Sequence, residues 1–253
     1  MPAKLDVGAT LREVFATYRE QAMVLLPVAF LLFLVSAVAN TLAPGGFVLS
    51  VLPLIFSIFI ATLYQGMVVS LVRDLRGGRR SSSIRGLVRS VLPVFWQLVG
   101  AGILAGIGIG FGSLLVLPGL YLMTIWAVIA PAIVIERREV LDAFRRSRQL
   151  VRNNGWHVFV VVVLVAGLLS FVVGLAFLLV AREVAHKPVL VIASGTLAST
   201  ITAPIEALVA AVLYFRLLAL QSEPAAAPAP PPPTEPPAPP PPSEPPPPPP
   251  PAA

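Results

Sequence analysis

One carboxylate and one run of arginines are the residues of this chain best placed to do chemistry. Glu206 is the only acidic residue well inside an apolar run, and Gly195, Ser199 and Thr202 share its helical face. A charge at the centre of a bilayer costs at least about 2.5 kcal/mol, so such a residue is a functional candidate by default. The stripe predicts either a polar path or proton site between helices, or a protonated acid hydrogen-bonded to Gln65 or Gln97 of a neighbouring helix. Pro204 frees a backbone carbonyl on the same helix. No second acid, lysine or arginine accompanies Glu206, which argues against an ion-coupled pump. The arginines lie in the stretch 136–157, ERREVLDAFRRSRQLVRNNGWH. Arg145, Arg146, Arg148 and Arg152 there predict binding of an anion, either lipid headgroups or an acidic partner.

Other chemistries lack their residues. The chain has no cysteine, so thiol nucleophiles, disulfides and cysteine metal sites are excluded. His157 and His186 fall at opposite ends of one apolar run and cannot share a metal ion. No serine, histidine and carboxylate converge on one face, so no hydrolase centre is predicted. The glycines at 100, 102, 106, 108, 110 and 112 sit in an apolar run with no preceding strand. They predict close helix packing in lipid rather than a phosphate cradle. The reading is of a protein that is not an enzyme and uses no cofactor or metal.

The elements that position these residues are helices in a membrane. Hydrophobic residues make up 57% and charged residues 12%, against roughly 25% charged in a soluble domain. Apolar runs at about 22–42, 48–72, 92–113, 119–135, 157–181 and 189–219 each reach the ~20 residues that span a bilayer. The predicted fold is all-α, with six transmembrane helices in residues 1–220 and a disordered, extended proline-rich tail over 221–253. That tail is either a solvated strip or a docking strip for a protein partner with an aromatic-lined groove.

Basic amphipathic segments precede the first, third and fifth runs, at 7–21, 81–95 and 138–152. In the third, Val140, Phe144, Ser147 and Val151 form the apolar stripe, with Arg138, Asp142, Arg145, Gln149 and Arg152 opposite. The chain therefore reads as three copies of one unit, near 7–72, 81–135 and 138–219, each an amphipathic interfacial helix followed by two spans. Sixteen of the 18 lysines and arginines fall on one side of these spans; only Arg182 and Lys187 fall on the other. The positive-inside rule then places both termini in the cytoplasm of a cell with this protein in its inner membrane. The net charge of +6 is carried in short loops beside apolar runs, which implies anionic lipid and no nucleic acid. Ala37-Val38-Ala39 is a competing signal-peptidase motif, opposed by the long mixed-charge leader before it.

The motif VLDAFRRSRQLVRNNGWHVF resembles the signature of the membrane domain associated with glycerophosphoryl diester phosphodiesterases. VGATLREVFATYR, LPGLYLMTIW, APAIVIE and LYFRL extend the resemblance over about residues 5–220. It departs at Arg148, where the family has an aromatic residue, and at Asn153-Asn154, where it has a glycine and a basic residue. The catalytic barrel of the two-domain enzymes has no counterpart in this chain, so the resemblance implies a membrane platform alone. The sequence thus points to a non-catalytic, lipid-associated scaffold or accessory module; the alternative is a transporter or channel for a small or lipid-like solute, using the Glu206 stripe.

Overall fold

Every apolar run of the sequence is wound into helix, and the ends of those helices that carry the arginines are packed much more tightly than the other ends. The computed structural model describes residues 4–42, 47–79, 83–184 and 187–222; the turn expected at 43–46, His186 and the proline-rich stretch from 223 lie outside them. The described residues contain no strand. In chain order the helices are α1 (Val7–Thr41), α2 (Phe47–Arg76), α3 (Ile84–Val91), α4 (Phe95–Ser113), α5 (Leu117–Ile125), α6 (Ile129–Glu136), α7 (Val140–Val151), α8 (Gly155–Val161), α9 (Leu168–Val184) and α10 (Pro188–Ser222). Five segments are long and apolar enough to cross a membrane: 7–41, 51–76, 84–113, 117–136 and 189–222. The sixth expected run is α8 and α9 joined through a π-helical stretch, Val162–Gly167. Helix α10 ends at Ser222, two residues beyond the boundary expected from composition, and the compact unit ends with it.

The first amphipathic segment is not separate from its span. Residues 7–41 form one helix because nothing between them breaks it; Pro27 is accommodated within it. The second and third segments do end before their spans: α3 at a 3-10 turn containing Pro93, and α7 at a turn before Gly155. Asp6 caps α1, its Oδ1 accepting from the Ala9 amide at 2.9 Å. That hydrogen bond holds the Asp6 carboxyl below its ordinary range, aided by the charge of Arg12. A depressed folded-state value stabilises the first turn at neutral pH, and the contribution is lost as pH falls through that value. The protection factor of the Ala9 amide, corrected for the intrinsic slowing of exchange in acid, should therefore fall as Asp6 is protonated, and in Asp6→Asn should show no such pH step.

The span expected at 119–135 is two helices, α5 and α6. Pro131 has no N–H to give to the carbonyl of Ala127, so the helix breaks between Ile125 and Ile129. Ser147 of α7 covers the break: its hydroxyl donates to the Ile125 carbonyl at 2.7 Å and lies 3.4 Å from the Val128 amide, which points at it. Ser147 is fully buried. Its place on the apolar stripe is thereby explained.

Helices α4 and α5 fold back on each other through the glycines. A Cβ on Gly112 would lie 3.0 Å from the Gly119 nitrogen, and one on Gly119 would lie 2.8 Å from the Ser113 backbone. One on Gly108 would strike the Trp126 ring, while Gly106 and Gly110 face open space. Close packing thus uses one face of the glycine run, with residues four apart, as expected for helices meeting in lipid.

Burial is unequal along the long helices. On α10 nearly every residue from Pro204 to Tyr214 is buried, as are Tyr64 and Met67–Val72 of α2. Exposed large apolar side chains gather elsewhere: Leu52 to Phe56, Ile103 to Leu117, Leu164 to Val180 and Val189 to Ile201. One half of the bundle is a packed core and the other presents an apolar exterior.

Candidate functional site

The packed end of the bundle is fastened by two carboxylates. Glu13 of α1 accepts from Arg76 at the end of α2 and from Arg216 of α10, whose Nε lies 2.7 Å from Oε2. Arg216 also donates to the Ala9 carbonyl at 3.1 Å. Arg76 stacks over the Phe215 ring at 4.7 Å, a cation–π contact. Glu136, the last residue of α6, accepts from Arg138, from Arg146 of α7 at 2.9 Å and from the Tyr214 hydroxyl at 2.6 Å. Each clamp thus joins two other helices to the last turns of α10. Arg137 at the C-cap of α6 takes a left-handed conformation, φ 53°, and turns the chain into α7.

Helix α7 buries Ala143, Ser147, Leu150 and Val151, and its Phe144 meets Trp126 edge to face with centroids 4.9 Å apart. The predicted stripe is therefore the packed face. The four arginines expected to act together separate. Arg146 is half-buried and engaged, giving Nε to Glu136 and approaching the Gln221 Oε1 at 3.3 Å. Arg145, Arg148 and Arg152 are exposed and line a groove of about 640 Å³ with Tyr121, Ile125, Gln149, Val151 and Gly155. Arg145 and Asp142 lie 3.6 Å apart, both well exposed, a pairing of little energetic weight. Among the described residues Arg148 and Arg152 have no ion-pair partner. Chemically, the groove offers guanidinium groups with fixed fork geometry along one edge and an aromatic and aliphatic wall along the other.

The groove is held in place from beneath. The amide of Leu5 donates to the buried Asn154 Oδ1 at 3.0 Å, docking the N-terminal arm on the turn between α7 and α8. The Gln221 amide nitrogen lies 3.3 Å from the Gln149 carbonyl. Sequence periodicity did not find these contacts, nor the two clamps, because their partners lie far apart in the chain; Arg216 and Glu13 are separated by 203 residues.

The Glu206 stripe lies on α10 where the helix enters its packed stretch. Glu206 is exposed on α10, and Ser199 and Thr202 are half-buried. Thr202 donates its hydroxyl back to the Ala198 carbonyl at 3.1 Å, and Gly195 faces the Phe177 ring. Gln65, one expected partner, lines a cavity of about 110 Å³ with Thr62 at the α5–α6 break. Helix α10 has 35 residues, about 52 Å, against ~30 Å of hydrocarbon. Glu206 stands 16 residues from the helix end, about 24 Å along the axis and near the helix midpoint. No group of histidines and carboxylates suited to a metal ion occurs among the described residues.

The fold and the groove define the chain as an all-helical protein with helices suited to crossing a membrane. No family model, no curated protein and no solved structure matches it. The resemblance of the α7 motif and its companion motifs therefore rests on those sequence patterns alone.

Proposed function

We propose that this chain is a non-catalytic, six-span membrane module with both termini in the cytoplasm, whose basic end holds anionic lipid headgroups and serves as a scaffold for a partner. The observation that carries the reading is the division of labour among the arginines of α7. Arg146 closes the bundle through Glu136, while Arg145, Arg148 and Arg152 stay exposed around one groove. Guanidinium groups beside apolar helices are matched by lipid phosphates, each surface cation contributing about 1 kcal/mol near an anionic leaflet. Exposed Trp156, stacked on Phe159 beside the groove, fits the headgroup level, where tryptophans concentrate. The resemblance of the α7 motif to a membrane domain that accompanies, without being, a phosphodiesterase agrees with a platform role.

The test is lipid retention by the intact protein. Reconstituted into bilayers of mixed neutral and anionic phospholipid, extracted and weighed by native mass spectrometry, it should keep anionic lipid in excess of the bilayer's composition. Retention in proportion to composition overturns the proposal.

A further inference from the structure

We infer that the groove beside α7 is a specific site for a phospholipid carrying two phosphodiesters, the diphosphatidyl class, rather than a diffuse basic surface. The inference rests on the headgroup-binding reading above and goes beyond it in naming the ligand. Arg145, Arg148 and Arg152 are spaced by three and four residues, so they share one face over two turns, about 10.5 Å along the axis. With Asp142 3.6 Å from Arg145, the formal charge of these four side chains is +2. A lipid with two phosphodiesters brings −2 on two centres joined by a short glycerol bridge, and each centre can lie against one guanidinium fork. A lipid with one phosphodiester leaves a second guanidinium unanswered.

The apolar wall supplies the other half of the argument. Tyr121 and Ile125 belong to α5, which packs against α8. From that wall the exposed apolar surface continues to Leu117 and the turn Leu114–Val116 on one side, and past the exposed Trp156 to Leu164 and Leu168 on the other. Two helices with broad apolar faces flank one basic groove, which suits a headgroup carrying more than one pair of acyl chains. Basic pockets between helices at the cytoplasmic face take such headgroups in general.

The experiment compares lipids and variants on the intact, delipidated protein. Binding of a diphosphatidyl lipid, of phosphatidylglycerol and of soluble glycerol phosphate is followed by native mass spectrometry. The same titrations are made on Arg148→Gln/Arg152→Gln and on Arg85→Gln/Arg89→Gln, which removes two exposed arginines of α3. The expected result is at least tenfold tighter binding of the diphosphatidyl lipid than of phosphatidylglycerol, and no displacement by glycerol phosphate. The α7 variant should lose that preference and the α3 variant keep it. Equal affinity for the two lipids, or equal loss in both variants, overturns the inference while leaving a general anionic preference intact. Absence of any preference over neutral lipid overturns the module reading as well. Displacement by glycerol phosphate at matched concentration would make the site one for a soluble phosphate and overturn the lipid assignment.

Discussion

Replacing Glu136 by alanine is expected to destabilise the protein by about 2–4 kcal/mol, among the largest effects of any single substitution outside the apolar core. Among the described residues the carboxylate is the one acceptor for the hydroxyl of Tyr214, a fully buried residue, and it neutralises the half-buried Arg146. Removing it leaves a buried donor without a partner, at about 1–3 kcal/mol. It also strands a guanidinium held between α6 and α10, for which partial exposure reduces the 3–5 kcal/mol of a fully buried pair. Arg138 is 42% exposed on its side chain and contributes little. A double-mutant cycle separates the terms: coupling between Glu136 and Arg146 should be about 1–2 kcal/mol, and between Glu136 and Arg138 below about 0.5 kcal/mol. Chemical unfolding in detergent measures both. A loss under 1 kcal/mol for Glu136→Ala would show that α10 does not depend on this clamp.

The same residue shows where the sequence is silent. Hydrophobic runs, the stripe on α7 and the gathering of arginines at one end were all legible, because each is a local periodicity or a count of charge. Pairings across the bundle were not. Glu136 reads as the polar end of a span, and only the fold brings it to Tyr214, 78 residues away. Arg146 carried a partial signal. It lies 100° round the helix from Arg145, between the basic face and the buried stripe, where a side chain reaches a neighbouring helix more readily than water. The break at 126–128 was not legible, since Pro131 deletes a backbone hydrogen bond but so do Pro27, Pro53 and Pro204, which sit inside unbroken helices. Glu206 was legible as intramembrane because it stands near the middle of its 35-residue helix, so any stretch of about 20 residues of that helix crossing a bilayer includes it.

Arg216→Ala should open the other clamp, at a cost of about 1–2 kcal/mol. Arg216 bridges Glu13 and the Ala9 carbonyl with two different nitrogens, Nε and Nη2, so the planar fork is used in full and lysine cannot reproduce it. The groups are roughly a third exposed on their side chains, which keeps the figure well below that of a buried pair. Arg76 remains on Glu13 in the variant, so the carboxylate is not left bare, and the loss should be local. Hydrogen exchange should quicken in the first two turns of α1 and the last two of α10, with α6 and α7 unchanged because Glu136 still holds them. Arg216→Lys should recover less than half of the lost protection. If exchange instead quickened through α7 as well, the two clamps would be one cooperative unit. The N-terminal arm that docks on Asn154 beneath the arginine groove would then couple lipid binding to the closure of α1 on α10.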